Sequence, residues 1–317
     1  MSGFVLWRLA MLVPVLLGIT VVVFVLMAII PGDTALAILG PYATPERVAR
    51  IERELGLDRS VVEQYVLWVG RLVQGDLGWS YSLNQPVREA VASRMGPTLL
   101  LAACALFIGT LLGLLAGTLA AVHQNRWPDR TLTLSALIGI STPAFWLAML
   151  LMMLFAVWLG LFPVSGMRGA YGGDAAGILD VAHHLVLPSV SLGLVAAGVI
   201  ARLQRTAMFE SLGDEHIRMA RAKGLPESRV LYSHAFKSAL ARVVPVVGLQ
   251  AGYVLGGAIY IETVFQWPGV GRLLVDAIST RDILLVQGAV VVVASAYVLV
   301  NLCADVFQRM LDPRIET

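Results

Sequence analysis

Residues 97–122 read PTLLLAACALFIGTLLGLLAGTLAAV, a run of 26 positions without a charged side chain. A helix of about 20 residues, rising about 1.5 Å per residue, crosses a hydrocarbon core of about 30 Å. The run is therefore long enough to be a transmembrane helix. The whole chain has the same character, because 58% of its 317 residues are hydrophobic, only 14% are charged, and the mean hydropathy is +0.79. This composition excludes a soluble fold and a disordered chain.

Six apolar runs predict an all-α polytopic membrane protein with six transmembrane helices. The runs cover residues 9–30, 97–122, 131–167, 185–201, 243–261 and 283–304. The first is too long to be the apolar part of a cleaved signal peptide. The third run is long enough for one span followed by a polar segment that re-enters the membrane toward Pro163. The fourth run is short, but its helix can be longer if the side chain of Arg202 reaches the interface.

Lysine and arginine are distributed unevenly over the segments between these runs. With the N-terminus inside, the inner segments hold thirteen of them, whereas the short outer loops hold Arg168, Arg272 and Arg281. Short loops rich in these residues stay in the cytoplasm, so both termini are predicted to be cytoplasmic. The expected organisation is residues 1–30 with the first helix, an outer helical cap in 31–96, and a five-helix core in 97–317. That core includes an inner loop at 202–242 and a tail at 305–317.

The expected outer cap has two helical segments. Thr44-Pro45-Glu46 is typical of a helix start, and Leu55-Gly56 is typical of a helix end. A second, amphipathic helix over residues 60–73 would place its larger apolar side chains on one face, and the cap is predicted to lie on the outer membrane surface. The side chains on that face are Val61, Tyr65, Trp68 and Leu72.

Ionisable side chains are almost absent from the six apolar cores, whereas cation-coupled carriers place such groups inside the bilayer. The nearest exception is Glu262. It lies about 19 residues after the start of its apolar run, and at about 1.5 Å per residue this places it near the outer interface. It is expected there either as an interfacial carboxylate or as part of an outer gate. A channel would need rings of charge or a filter sequence, and neither is found.

Neither enzyme chemistry nor a metal site is expected. Ser141 and Ser189 have no intramembrane histidine to act as a general base. The His183-His184 pair lies at a span boundary, where a polar edge at the interface is favoured over a zinc site. The two cysteines lie in apolar runs and are expected as small buried hydrophobes rather than as a disulfide. A formal net charge of +2 gives no indication of a nucleic-acid partner.

Glycines recur at intervals of four in the second and fifth runs. This spacing aligns them on one helix face, where another backbone can approach closely. The pattern is compatible with packing inside this chain and also with a surface that meets a partner subunit or slides during a conformational change. The two sets are Gly109, Gly113 and Gly117, and Gly248, Gly252 and Gly256.

The inner loop at residues 202–242 is predicted to form two short helices about a hinge. Asp214 can cap a first helix that Gly224 ends, and Pro226 and Glu227 can start a second helix through Phe236. Small side chains near the hinge would let another surface approach. The loop contains no phosphate-binding Gly-Lys-Ser/Thr sequence, so any ATP must be hydrolysed by another chain.

Several short motifs carry a resemblance to a known family. In the loop, Gly224 and Ala220 match the glycine and second alanine of the EAA signature of binding-protein-dependent ABC permeases. His234, Phe236 and Lys237 depart from the general signature but are similar to its variant in one family. The other matching motifs are Ile30-Pro31-Gly32-Asp33, Leu55-Gly56-Leu57-Asp58, Gln64-Tyr65, Gly75-Asp76-Leu77-Gly78, Ser80-Tyr81, Pro143 with Phe145-Trp146-Leu147, Glu262-Thr263-Val264-Phe265, Trp267-Pro268-Gly269-Val270-Gly271-Arg272, Arg281-Asp282 and Asp312-Pro313-Arg314.

Together these motifs resemble the B-type permease subunit of the dipeptide, oligopeptide and nickel ABC importer family. The resemblance implies a type I ABC importer permease in a bacterial inner membrane, with the cap in the periplasm. It further implies a C-type permease partner, two cytoplasmic ATPases that hold ATP and Mg, and a solute-binding protein. This chain itself would hold no cofactor.

Three groups of residues are assigned roles within that resemblance. Coupling to the ATPases is assigned to Ile217, Ala220, Arg221, Gly224, His234 and Phe236. An outer gate is assigned to Glu262, Phe265, Trp267, Pro268, Gly269 and Gly271, where the glycines permit a re-entrant turn and the aromatic rings can plug it. A C-terminal tail positioned against the ATPase is assigned to Asp312, Pro313 and Arg314.

The expected cargo is a dipeptide or oligopeptide, because the apolar cores contain no histidine or cysteine cluster suited to a bare metal. Nickel, a metal chelate or glutathione is the alternative cargo. A membrane scaffold that transports nothing, or a channel, is the alternative class of function.

Overall fold

The computed structural model describes residues 2–29, 43–56, 58–169 and 177–311. These form two compact units, one of Met1–Pro97 with Pro268–Leu299 and the other of Thr98–Trp267 with Val300–Thr317. The Ile30-Pro31-Gly32-Asp33 motif and the tail residues Asp312, Pro313 and Arg314 lie outside the described residues.

The described chain is almost entirely helical. In order, the elements are α1 (Ser2–Ile29), α2 (Pro45–Leu55), α3 (Val61–Val73), β1 (Trp79–Ser80), β2 (Gln85–Pro86), α4 (Val87–Val122), α5 (Trp127–Ser141), α6 (Ala144–Leu151) with a π-helical extension (Met152–Trp158), α7 (Ile178–Gly213), α8 (Glu215–Ala222), α9 (Glu227–Arg229) with a π-helical extension (Val230–Ala235), α10 (Phe236–Val264), α11 (Val270–Ser279) and α12 (Ile283–Leu311).

Five helical stretches among the described residues are long and apolar enough to cross a membrane, and the α5–α6 pair brings the number to six if it is one bent span. The bend of 112° falls at Pro143, which is the N-cap of α6. The residue before a proline is driven to extended backbone, as Thr142 is here (φ −88°, ψ 129°). The prediction of six spans is therefore met only when the bent pair is counted as one.

The helices extend past the apolar runs that predicted them. α4 starts at Val87, ten residues before the expected cap boundary at Pro97, and α7 continues to Gly213 beyond the expected end at residue 201. A helix does not need to stop where the bilayer core ends, because polar side chains prolong it as well as apolar ones do. The inner loop is correspondingly shorter than residues 202–242.

In the first unit, the two predicted cap helices form as expected. Gly56 (φ +70°) ends α2, and Ser60 caps α3 in a reciprocal capping box with Glu63. The apolar face of α3 differs from expectation, because it packs on other helices of this unit. Trp68 is buried and stacks on Phe24 of α1 at 5.9 Å.

Two further observations define that face. The hydroxyls of Tyr65 and Thr20 lie 2.9 Å apart, and Val291 of α12 belongs to the same cluster. Val61, which was placed on the face, is 57% exposed.

The short hairpin β1–β2 is held by Asp282, the residue before α12. Asp282 is buried, and its Oδ2 accepts hydrogen bonds from Ser80 Oγ (2.7 Å), Ser82 Oγ (2.8 Å) and Ser82 N–H (3.0 Å). Its Oδ1 accepts from Leu285 N–H (3.2 Å) in the first turn of α12. One carboxylate therefore caps a helix and fastens a hairpin 200 residues away in sequence.

Asp282→Ala is expected to release the hairpin. The variant removes a helix cap and leaves buried hydroxyl and amide donors without an acceptor, which costs about 1–3 kcal/mol and speeds local opening about tenfold or more. Hydrogen exchange at the amides of residues 79–85 measures this. Asp276→Ala, at an exposed carboxylate of α11, is the matched control. Unchanged exchange in Asp282→Ala would contradict the assigned role.

In the second unit, α7 is the central helix, and the glycine set of the second run packs on it. A Cβ added at Gly109 would lie 2.6 Å from the backbone oxygen of Gly193, and one at Gly113 would lie 2.7 Å from Cβ of Ile200. Gly117 faces Ala201 in the same way. This set therefore serves packing inside the chain, which was one of the two alternatives.

The glycine set of the fifth run behaves differently. Gly248 packs against Ala304, whereas a Cβ at Gly256 would meet no atom within 4 Å. The cysteines also differ from each other, since Cys104 is half-buried and Cys303 is exposed. The expectation that both cysteines are buried is thus wrong for Cys303.

Candidate functional site

The first candidate site is the elbow, defined as residues 214–235, which joins α7 to α10. Gly224 (φ +76°) ends α8 as predicted. The N–H of Leu225 donates to the backbone oxygen of Ala220, and the N–H of Gly224 donates to that of Arg221. These two bonds form a Schellman motif, which needs a left-handed residue and therefore favours glycine at position 224.

The second half of the elbow differs from the prediction. Instead of a separate short helix, α9 and its π-helical extension continue directly into α10, so that one helical stretch spans Glu227–Val264. The described chain has no glycine or proline between Pro226 and Pro245 to interrupt it. The elbow is therefore joined to the fifth span by one continuous helical stretch.

The residues that the sequence analysis assigned to ATPase coupling fall into two groups, which differ in burial. Ile217 (0% exposed) and Ala220 (6%) are buried, and they pack in one cluster with Val230 and Ala235. The small side chain of Ala220 thus lets this chain's own helix approach, and its assignment to ATPase coupling stays a prediction.

The outward surface of the elbow is made by other side chains. Arg221 and Gly224 are exposed, and so are Met219 (58%) and Tyr232 (65%), while His234 and Phe236 are half-buried. Met219 and Tyr232 were missed, although an exposed apolar side chain beside basic residues is a signal for a partner surface.

Ion pairs tie the elbow to its neighbours. Arg221 bridges the Gly224 turn to Glu227 at 2.7 Å. Arg242 of α10 contacts Glu210 of α7 at 2.9 Å and Asp214 at 3.4 Å. Asp214 occupies the N-cap position of α8 as predicted, but its side chain makes no capping bond. Exposed pairs of this kind add little stability, so their effect is to orient the elbow.

A buried ion pair close to the α5–α7 contact was missed by the sequence analysis. Arg205 of α7 donates to both oxygens of Asp129 at 2.6 and 2.8 Å. Asp129 is 4% exposed and also accepts from the N–H of Asn125 and the hydroxyl of Thr133. The signal available was an acidic residue in the first turn of a helix, but its partner lies 76 residues away in sequence.

The second candidate site is the end of α10. Glu262 is completely buried, and Thr98 Oγ1 donates to its Oε1 at 2.6 Å. Phe265 and Trp267 are buried in the same cluster as Leu101. Glu262 is thus an enclosed carboxylate inside the second unit, and its expected position at the outer interface stays a prediction.

The turn that follows α10 is made differently from the prediction. The left-handed residue is Gln266 (φ +51°), whereas Gly269 is the N-cap of α11 in extended backbone (φ −99°, ψ 178°). Gly271 lies in the first turn of α11, and Pro268 is half-buried. The glycines are therefore not what reverses the chain. The outer-gate assignment of these residues stays a prediction.

Glu262→Ala is expected to destabilise the second unit by about 2–3 kcal/mol, because it removes the acceptor that Thr98 Oγ1 bonds and opens a cavity. Glu262→Gln keeps an acceptor oxygen and is expected to cost about 1 kcal/mol or less. Thermal unfolding in detergent compares the two, with Thr263→Ala, at an exposed neighbouring position, as control. Equal losses in both Glu262 variants would argue against the hydrogen-bonding role.

The two adjacent histidines are engaged with backbone groups. His184 Nδ1 lies 2.9 Å from the backbone oxygen of Asp180, and His183 Nε2 lies 2.9 Å from that of Leu161. The Asp180 side chain in turn accepts from Gly169 N–H at 2.9 Å. The pair thus joins the segment after the third span to the start of α7. Nowhere in the described ranges do three potential metal ligands of the His, Cys, Asp or Glu type come together.

The helical core with its elbow has a fold that is also found among solved membrane transport proteins. The fold resembles that of the methionine ABC transporter MetNI in its inward-facing conformation, with a TM-score of 0.55 over 70% of this chain and 95% of that chain at 19% identity. A second crystal form of MetNI gives a TM-score of 0.57. The architecture is thus that of a type I ABC importer permease.

The chain belongs to the family of binding-protein-dependent transport system inner membrane components, whose model matches residues 109–317, and whose N-terminal model matches residues 1–102. It is 40% identical to the dipeptide transport system permease protein DppB of Escherichia coli K12 over 99% of both chains, and 39% identical to DppB of Alkalihalophilus pseudofirmus over both full lengths. It is also 40% identical to the glutathione transport system permease protein GsiC of Salmonella choleraesuis, over 99% of both chains.

These comparisons confirm an ABC importer permease and a multi-pass inner membrane protein, and they set aside the scaffold and channel alternatives.

Proposed function

We propose that this chain is one of two permease subunits of an ATP-driven importer for dipeptides and oligopeptides, and that it forms half of the translocation path by alternating access. The observation that carries the proposal is the 40% identity to a dipeptide permease over 99% of both chains. The other subunits are a related C-type permease, two cytoplasmic ATPases that bind ATP and Mg, and a periplasmic or surface solute-binding protein.

The geometry of the elbow supports a mechanism for this chain. The exposed surface with Met219, Arg221 and Tyr232 receives the ATPase, with both termini and the elbow in the cytoplasm. Buried Ile217 and Ala220 pass the displacement to α7 and to the Glu227–Val264 stretch, because they pack on both. Such rigid packing converts a push on the elbow into tilting of two spans. The tail residues Asp312, Pro313 and Arg314 are proposed to lie against the ATPase.

Glutathione is the second candidate cargo, because the identity to a glutathione permease is equally high. Glutathione is itself a short peptide, so both cargoes need a path that accepts a peptide backbone.

Purification and uptake test the function. The tagged chain, solubilised in mild detergent, is expected to retain a second permease and two ATPases that hydrolyse ATP. Vesicles that hold this complex and the binding protein are expected to accumulate labelled dialanine, with glutathione and nickel as competitors. Isolation of the chain alone or as a homo-oligomer without ATPase activity would overturn the importer. Uptake of nickel or glutathione in place of dialanine would reassign the cargo.

A further inference from the structure

One face of α10 in the fifth span is exposed and carries two tyrosines. Leu249 (67% exposed), Tyr253 (55%), Gly256 and Tyr260 (59%) recur at intervals of three and four, which aligns them along one side of the helix. The opposite side is buried at Val254, Ala258 and Ile261. We call the four exposed residues the tyrosine face.

The depth of Tyr253 argues against contact with lipid. It lies ten residues after the start of the apolar run at 243 and eight before its end at 261, which is about 15 Å and 12 Å at about 1.5 Å per residue. This is the middle of the bilayer, where a hydroxyl exposed to hydrocarbon has no hydrogen-bond partner and is costly. Neither Tyr253 nor Tyr260 makes a hydrogen bond to any residue in the described part of the chain.

The exposed face of α4 has a different composition, which is typical of a lipid contact. Within residues 97–122 of α4, the large exposed side chains are aliphatic or aromatic without a hydroxyl, as at Phe107, Leu111, Leu115 and Leu119, whereas α12 also exposes one tyrosine, Tyr297 (44%). Tyrosine is typical of membrane interfaces rather than of the bilayer centre. Tyr260 lies at the end of the apolar run, where a tyrosine is ordinary, so it is Tyr253 at mid-depth that indicates a polar occupant for this face.

The dimensions of the face match a short peptide. Tyr253 and Tyr260 are two helical turns apart, about 10 Å at about 1.5 Å per residue. Between them Gly256 adds no side chain, and a Cβ there would touch no atom of the described residues within 4 Å. An extended peptide rises about 3.3–3.6 Å per residue, so two or three residues fit between the rings.

Resting on the proposed function, we propose that the tyrosine face lines the translocation path and contacts the peptide cargo, with Tyr253 and Tyr260 bracketing it. Tyrosine combines a broad apolar ring with a hydroxyl that can donate or accept, and it loses little conformational entropy on contact. Such a surface suits a cargo with a constant backbone and variable side chains.

Cysteine accessibility in the complete importer tests the proposal. In a background with Cys104→Ala and Cys303→Ala, Tyr253→Cys and Tyr260→Cys are compared with Leu115→Cys, which is exposed on α4. The probe is the charged thiosulfonate MTSES, which needs a hydrated thiolate. The cysteines at positions 253 and 260 are expected to react at least about tenfold faster than the cysteine at position 115. Their rates are expected to change during turnover with dialanine, ATP, Mg²⁺ and the binding protein.

Reaction at position 253 no faster than at position 115 would overturn the proposal, since lipid or a helix of the partner permease would then cover the face. Fast reaction that is unaffected by dialanine turnover would also overturn it, because the face would be hydrated but off the path. Loss of dialanine uptake in Tyr253→Cys with assembly and ATP hydrolysis intact supports it. Uptake by the cysteine-free background tests the function separately, so that its failure is distinguishable from failure at the face.

Discussion

Arg205→Ala is expected to lower the thermal unfolding midpoint of the purified permease by about 5–10 °C, from a loss of about 3 kcal/mol. The variant leaves the Asp129 carboxylate, which is 4% exposed, without its cation. Breaking a buried ion pair costs about 3–5 kcal/mol, and the lower end applies because the Arg205 side chain is 31% exposed. Fluorescence-detected gel filtration after heating gives the midpoint.

The double variant Asp129→Asn with Arg205→Met separates the pair from the packing of Arg205. A neutral pair removes the uncompensated charge, and replacing a buried ion pair by uncharged groups is often close to neutral. We therefore expect the double variant to recover more than half of the loss. Arg202→Ala is the matched control, because Arg202 is exposed and its side chain bonds to no residue in the described ranges. A double variant as unstable as Arg205→Ala would contradict the ion-pair explanation.

Gly224→Val is expected to uncouple ATP hydrolysis from uptake. Left-handed backbone costs a residue with a side chain about 1–2 kcal/mol, and more for a β-branched one, so the native elbow becomes about tenfold less populated. A Cβ added at position 224 meets no atom of the described residues within 4 Å, so the expected effect comes from the left-handed backbone. Uptake is expected to fall about tenfold while the complex still assembles and hydrolyses ATP.

Two variants make the Gly224 result specific. Gly224→Asn is expected to retain most uptake, because asparagine tolerates left-handed backbone better than other side chains do. Gly213→Val adds the same bulk at a glycine that also faces open space but has ordinary backbone, and it is expected to behave like the native chain. Equal uptake in Gly224→Val and the native chain would remove the elbow from the coupling mechanism.

The spans and the elbow turn were predictable because their causes are local. An uncharged run of sufficient length must be helical in a bilayer, since every backbone group has to be bonded within the segment. Gly56 and Gly224 end their helices because each adopts left-handed backbone. The family was also readable from motifs such as Ala220 with Gly224, since these keep their order along the chain.

The contacts between residues that are far apart in sequence were decided by the tertiary structure. No local rule pairs Asp282 with Ser80, Arg205 with Asp129, or Glu262 with Thr98, because each pair is joined only after long stretches of chain have folded.

Exposure was likewise decided by tertiary packing. The sequence of α10 determined which residues share a face, by the helical repeat alone. Packing of α10 against α7 buried one face at Ala258 and left Tyr253 and Tyr260 on the other, because a helix can bury only the side that a neighbour covers.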